Sequence, residues 1–424
     1  MIISENITAR TLEMNTGTSY LTFKHFKTNS LGPGLIYSIF QFITTKIRLQ
    51  KKIKVTLDYS EEELKELEKN PQDYLHITLL ILYFNDRKII ENISEIEKIK
   101  ERLYLFFENQ NNYYSTNLLL KFGQKLEKKT TTRKKDNNIF AQNSKNKKIE
   151  GFNFITGSFD HIEEKNINNP VFLYSDSFVK IASNMQLWVE RLFNFNNINL
   201  DPSGFHKNGL KQISNLIYEL YQNTEDWAKT TYNFEKFYKD NYRGINLNLL
   251  LESRLKHIGG QSHDEIGKYL KELYQKPKDQ IQIEYNQQSE LFEKDYKLSV
   301  LEISVIDFGP GMARRWLSKD YTEIELEEEK EAVRKCFTKN FTTDFSSKNA
   351  LRGQGLANVL EIIRDIGFIK IHSGSVIMHR NFLSDPLRKD MLATPSEIQF
   401  TFTPSVGKVE GTLITILYPI LYTV

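Results

Sequence analysis

The chain has 424 residues, which is enough for two or three domains with hydrophobic cores. Its formal net charge is only +3, so the overall charge does not indicate a nucleic-acid or membrane partner. A single cysteine, Cys336, excludes an internal disulfide, and the N-terminus has no signal-peptide pattern. Because no apolar run is long enough to span a bilayer, we expect a cytoplasmic protein with no membrane partner.

The first part of the chain, residues 1–123, predicts a small α/β domain. Apolar patterns indicate strands at 19–23 and 54–58, with a helix at about 35–49 between them. Ser60 precedes three glutamates and is typical of a helix start, since its side chain can cap free N–H groups. We interpret this domain as a candidate partner-binding unit.

Residues 124–151 change in composition and are rich in Lys, Thr, Asn and Ser. This composition predicts a flexible basic linker or an exposed hairpin. A contact with nucleic-acid phosphates is the alternative, and it is weakly supported. Only Phe140 adds an aromatic ring, so the pattern does not indicate a platform for stacking bases.

Residues 152–424 predict a larger domain that alternates helices and strands. Apolar spacing predicts helices at about 185–195, 207–230, 262–275, 323–330 and 356–364, and strands at 245–251, 298–307, 368–372 and 412–419. We expect insertions near 231–296 and 373–408, the second of them irregular. We also expect residues 312–352 to form a lid.

The helix predicted at 207–230 contains Glu219-Leu-Tyr-Gln-Asn223-Thr-Glu-Asp226. Side chains four residues apart share one helix face, so the Glu219 carboxylate and the Asn223 carboxamide can point into one cavity. A carboxamide oxygen suits Mg²⁺, which prefers oxygen ligands and takes few of them from protein when phosphates are present. The carboxylate is a candidate general base or water-orienting group.

The strand predicted at 298–307 ends in Asp307-Phe-Gly309-Pro-Gly311. A carboxylate at a strand end can accept a hydrogen bond from the exocyclic amine of adenine. Guanine has a carbonyl at that position, so this contact would select ATP. The two glycines permit close approach of the backbone and positive φ angles.

A second glycine pair, Gly353-Gln-Gly355-Leu356, opens the helix predicted at 356–364. Free N–H groups at a helix N-terminus are suited to phosphate, and the helix dipole adds to the attraction. The preceding Arg352 is a candidate partner for a γ-phosphate. In the last strand, the hydroxyl of Thr412 is a candidate to support Asp307.

In this order the motifs resemble those of the GHKL superfamily, which includes gyrase, the large heat-shock chaperones, histidine kinases and MutL. The resemblance spans roughly residues 200–424, and it departs from the family where Trp227 replaces a small residue. It implies an α+β fold, a Bergerat-type α/β sandwich whose mixed sheet is covered by helices.

The resemblance also implies a Mg²⁺-dependent ATPase, with ATP and Mg²⁺ as its ligands and Glu219 as the catalytic residue. It assigns Asn223 to the metal. The residues that it assigns to the bound nucleotide are Asn223, Asp226, Asp307, Gly309, Gly311, Arg352, Gly353, Gly355, Leu356 and Thr412.

Three functions stay open at this point. An ATPase would use lid closure or self-association as a switch, with a homodimer or another protein as partner. No lysine from a following domain can be placed, so fast autonomous hydrolysis is not expected. A serine or histidine kinase acting on a partner is the second reading; His161 is the nearest candidate acceptor, but no long helix pattern surrounds it. The third is a non-catalytic, ATP-gated interaction module.

Overall fold

The structure is a computed structural model that describes residues 12–13, 18–24, 41, 45, 52–58, 152–159, 174–175, 178–179, 182–195, 205–238, 241–252, 255, 264–276, 296–339, 354–388, 398–403 and 408–423. The chain divides into two compact units, Met1–Asn143 and Ser144–Val424. The predicted linker at 124–151, the helix start at Ser60 and His161 lie outside the described residues.

The first unit contains a three-stranded sheet in the order β1-β2-β3. Its strands are β1 (Leu12–Glu13), β2 (Thr18–Lys24) and β3 (Lys52–Asp58). The pair β1 and β2 is antiparallel, whereas β2 and β3 are parallel. A parallel pair needs a crossover connection, and Gln41 and Thr45 in that connection are helical, within the predicted helix.

The second unit combines helices with an open antiparallel sheet. Among the described residues, seven strands form this sheet in the order β11-β10-β9-β12-β8-β7-β4. They are β4 (Phe152–Phe159), β7 (Tyr242–Leu250), β8 (Tyr296–Asp307), β9 (Phe368–Gly374), β10 (Val376–Asn381), β11 (Thr401–Thr403) and β12 (Val409–Thr423). A separate two-stranded pair joins β5 (Tyr174–Ser175) and β6 (Phe178–Val179).

The expectation of a mixed sheet in this unit is wrong, because every described neighbouring pair in it is antiparallel. The order of the strands explains the difference. Strands β8 and β9 run in the same direction, as a helical crossover between them favours. The last strand, β12, lies between them and pairs antiparallel with both.

Helices lie on both faces of this sheet. The described helices are α1 (Ala182–Phe195), α2 (Phe205–Trp227), α3 (Glu265–Gln275), α4 (Met312–Leu317), α5 (Leu326–Cys336) and α6 (Gly355–Ile363). Helix α2 contacts α1, α6 and β8, and the hydroxyl of Tyr418 on β12 donates to Gln212 of α2 at 2.6 Å. On the opposite face, α3 packs its apolar side chains against Val300, Phe368 and Leu417. Side chains alternate across a strand, which is why Leu417 and Tyr418 contact different helices.

One expectation about local structure is corrected. The described parts of residues 373–408 are not irregular throughout, because β10 and β11 lie there. Gly374, with φ of 62°, turns the chain so that Ser373 pairs with Val376 in a tight hairpin. In the described part of the expected lid, residues 312–339, Val333 and Phe337 are fully buried and so contribute to the core, and the lid itself stays a prediction.

Candidate functional site

Helix α2 places Glu219 and Asn223 at the border between the core and the surface. Its apolar side chains, such as Leu216 and Leu220, are buried, while Glu219 and Asn223 are only partly covered. The Asn223 amide nitrogen donates to the backbone carbonyl of Glu219 at 2.5 Å. The amide oxygen therefore points the other way, and among the described residues no group donates a hydrogen bond to it.

The N-terminus of α6 meets this pair of side chains directly. A Cβ atom added to Gly355 would lie 2.8 Å from Oε2 of Glu219 and 3.1 Å from Nδ2 of Asn223. From the same helix, the amide of Asn358 donates to Oε1 of Glu219 at 3.0 Å. Burial raises the pKa of Glu219, and the Asn358 hydrogen bond partly offsets that rise. The first and third motifs thus form one polar contact between α2 and α6.

At the end of β8, the buried Asp307 lies in register between Arg243 of β7 and Thr412 of β12. Its Oδ1 accepts a hydrogen bond from the backbone N–H of Gly309 at 2.9 Å, which fixes the turn that follows the strand. The hydroxyl of Thr412 is 3.2 Å from that of Ser373 and forms its hydrogen bond there. Thr412 is thus beside Asp307, as expected, but its hydroxyl is engaged by Ser373.

Close packing at Gly309 and the backbone conformation at Gly311 both favour glycine after Asp307. A Cβ atom on Gly309 would lie 2.6 Å from the Cα atom of Ala228, so the turn touches the C-terminal end of α2. Gly311 has φ of 83°, a conformation that strongly favours glycine. The turn of the second motif therefore packs against the C-terminal end of α2, just after the first motif.

Two residues that the sequence did not single out tie this end together. Arg315 of α4 donates to the carbonyls of Trp227, Thr230 and Thr231 at 2.7–3.0 Å. Burial lowers the pKa of Arg315 to about 10, so the group remains a cation at neutral pH. A cation suits carbonyls at a helix C-terminus, and the Arg314-Arg315 pair just after Gly311 was a usable signal.

Asn241 makes a second link at the same place. Its amide nitrogen donates to the carbonyl of Ala228 at 3.0 Å, and its oxygen accepts from the N–H of Phe308 at 3.1 Å. A single buried side chain therefore joins the end of α2 to the turn after Asp307. No local sequence pattern marks an asparagine for this role.

The remaining predicted residues are placed differently. Asp226 is exposed and accepts a hydrogen bond from Gln222 at 2.9 Å, apart from the Gly355 contact. Leu356 is buried in the core. Arg352 and Gly353 lie outside the described residues. The structure therefore brings Glu219, Asn223 and Gly355 together in the C-terminal half of α2, and it places the Asp307 turn at the C-terminal end of the same helix.

Comparisons with known proteins add no assignment. The chain matched no protein-family model, and searches of curated proteins and of solved structures found no significant similarity. Within the described ranges, no helix combines the length and apolar character needed to cross a membrane. In the same ranges, no three or more His, Cys, Asp or Glu side chains cluster as a metal site.

Proposed function

We propose that this chain is a GHKL-type ATP-binding protein that hydrolyses ATP with Mg²⁺, and that its second unit has a Bergerat-type fold. The observation that carries the proposal is the contact of Gly355 with Glu219 and Asn223. It joins the N-terminus of α6 to a carboxylate and a carboxamide, two motifs more than a hundred residues apart in the sequence.

The distance along the C-terminal part of α2 fits the length of a nucleotide. At a rise of 1.5 Å per residue, Glu219 and Trp227 are about 12 Å apart along the helix axis, comparable with an extended nucleoside triphosphate. In the proposal, adenine lies at the Asp307 turn, where the carboxylate accepts from its amine. The phosphates lie at the N-terminus of α6, where free N–H groups and the helix dipole favour negative charge.

Asn223 fits the role of a metal ligand because its amide nitrogen is held by the Glu219 carbonyl, which directs its amide oxygen away from that hydrogen bond. Mg²⁺ needs few protein ligands when phosphate and water oxygens complete its shell. When bound, Mg²⁺ would neutralise charge on the phosphates. The protein's part is to hold that cation through Asn223 and to hold the phosphates against Gly355.

Glu219 fits the role of general base. Burial raises its pKa, which makes the carboxylate a stronger proton acceptor than an exposed glutamate. In the proposed step a water oxygen bonds to the γ-phosphorus, the water proton moves to Glu219, and the bond to the ADP oxygen breaks. ADP takes the electron pair of that bond, so charge and protons balance.

The proposal is tested by following γ-labelled ATP with Mg²⁺ on wild type, Glu219→Gln and Asp307→Asn. Gln222→Ala, on the same helix but bonded outward to Asp226, is the matched control. We expect labelled phosphate to be released by wild type and the control, and by neither site variant. Label retained on protein would favour the kinase alternative, and ATP binding without turnover would favour the interaction module. No binding of ATP would refute the proposal.

A further inference from the structure

The two carboxylate oxygens of Glu219 have different surroundings. Oε1 accepts the hydrogen bond from Asn358, at 3.0 Å. Oε2 faces the backbone of Gly355, 2.8 Å from where a side chain would begin. The proposed function places the phosphates next to Gly355, so Oε2 is the carboxylate oxygen directed at them.

Asn358 is a partly buried polar residue between apolar neighbours on α6. Its neighbours on α6, Ala357 and Val359, are buried, as are Leu356 and Leu360. Asn358 itself is partly buried, and the covered part of a polar side chain is costly unless it is hydrogen-bonded. The partner that it finds is the carboxylate of the candidate base, and Glu219 lies on a different helix, 139 positions earlier in the sequence.

We propose that Asn358 is a positioning residue that holds Oε1 of Glu219, so that Oε2 alone accepts the proton of the attacking water. This inference rests on the proposed ATPase function. The amide is a neutral donor, so it orients the carboxylate without the strong pull on the proton affinity that a lysine or arginine would exert. A cationic partner would weaken the base, whereas an amide leaves it able to accept a proton.

Other titratable groups lie on the elements packed around α2. They include Lys211, Tyr218, Glu225 and Asp226 on α2 itself, Glu190 and Arg191 on α1, Glu361 on α6, and Arg243 and Asp307 on the facing side of the sheet. Glu219 and Asp226 help to raise the pKa of Tyr218, whose phenol stays neutral in the acidic range. The pKa of Glu219 itself is set first by burial and then by Asn358.

The test measures kcat and KM for ATP from pH 4.5 to 9 in wild type, Asn358→Ala and Asn358→Asp, with Glu361→Gln as a control on the same helix. Removing the Asn358 amide takes away a hydrogen bond that stabilises the charged form of Glu219. The acidic limb of the plot of kcat against pH, where activity falls as Glu219 is protonated, should therefore move to higher pH in Asn358→Ala. A second carboxylate at this distance would share a proton with Glu219, so Asn358→Asp should move the limb farther. Above the limb, we expect kcat to fall about tenfold in Asn358→Ala and KM to stay within about twofold, because a misplaced base slows chemistry without changing ground-state binding.

Each outcome decides the inference. The limb midpoints should rise in the order wild type, Asn358→Ala, Asn358→Asp, with the control unchanged. Equal midpoints in all four proteins, together with a lower melting temperature, would show that Asn358 only supports packing and would refute the inference alone. A wild type that turns over no ATP would refute the proposed function, and the positioning role with it. Asn358→Asp is nearly isosteric, so it keeps the test open if Asn358→Ala does not fold.

Discussion

Substitution of Gly355 by alanine tests the central contact of the site with one methyl group. The new Cβ atom would lie 2.8 Å from Oε2 of Glu219 and 3.1 Å from Nδ2 of Asn223. Ordinary contact begins near 3.4 Å, so the carboxylate oxygen must withdraw by about 0.6 Å. Both atoms are at the ends of side chains, which can move, so the fold should survive.

The effects on stability and on function should separate. Alanine is favoured over glycine by about 1 kcal/mol in a helix interior and by less at the first helical residue, where Gly355 lies, so propensity offsets only a small part of the steric cost. We therefore expect the free energy of unfolding to change by less than about 1 kcal/mol. The methyl group fills the space proposed for phosphate, so ATP affinity should fall at least about tenfold, or about 1.4 kcal/mol. Turnover should fall by about a hundredfold, because the base is also displaced.

The assay combines calorimetric titration with Mg·ATP, phosphate release and urea unfolding on the 424-residue chain. Gly209→Ala is the matched control, since it makes the same change in α2 at a position where a Cβ atom meets nothing within 4 Å. The reasoning fails if Gly355→Ala binds ATP like wild type while it remains folded. It fails also if Gly209→Ala weakens binding to the same extent.

Three further substitutions probe other parts of the site. Asp307→Asn keeps an oxygen for the Gly309 N–H but replaces the acceptor proposed for adenine; ATP affinity should fall about tenfold to a hundredfold, and the preference over GTP should shrink in competition titrations. Glu219→Gln should abolish phosphate release. Burial raises the pKa of Glu219 in the folded protein above 4.5. Protonated Glu219 therefore stabilises the folded state below pH 4.5, and this stabilisation is lost as the pH rises through the folded pKa. The melting temperature of Glu219→Gln should therefore rise relative to that of wild type as the pH increases from 4 to 8. A constant difference between the two melting temperatures would contradict the burial of Glu219. Arg315→Lys loses the planar guanidinium group whose N–H donors contact several carbonyls at the end of α2, so the free energy of unfolding in urea should fall by about 2–4 kcal/mol. An unchanged unfolding midpoint would mean that these hydrogen bonds are dispensable.

Regular local patterns predicted much of the second unit. The apolar spacing along α2 and the apolar run of β8 placed both elements within a few residues of their observed bounds. The strand β4 was missed, although Phe152 to Phe159 alternates in part, because it follows directly on a polar segment. The hairpin from β9 to β10 was missed because polar residues around Gly374 resemble an irregular loop.

The site was predictable where its residues are neighbours on one element. Spacing alone placed Glu219 and Asn223 on a common helix face. Asn358 and Arg315 could not be assigned in this way, because their partners lie 139 and up to 88 positions away in sequence. Such contacts depend on how α4 and α6 dock onto α2, and that docking leaves no periodic signal in the chain.

The measurement that tests the central claim most directly is a calorimetric titration of the 424-residue chain with ATP, with and without Mg²⁺, and with GTP in parallel. We expect one ATP per chain, tighter binding with Mg²⁺, weaker binding of GTP, and ATP binding at least about tenfold weaker in Gly355→Ala but unchanged in Gly209→Ala. Absence of saturable ATP binding in the folded wild type would contradict the claim that α2, α6 and the Asp307 turn form a nucleotide site.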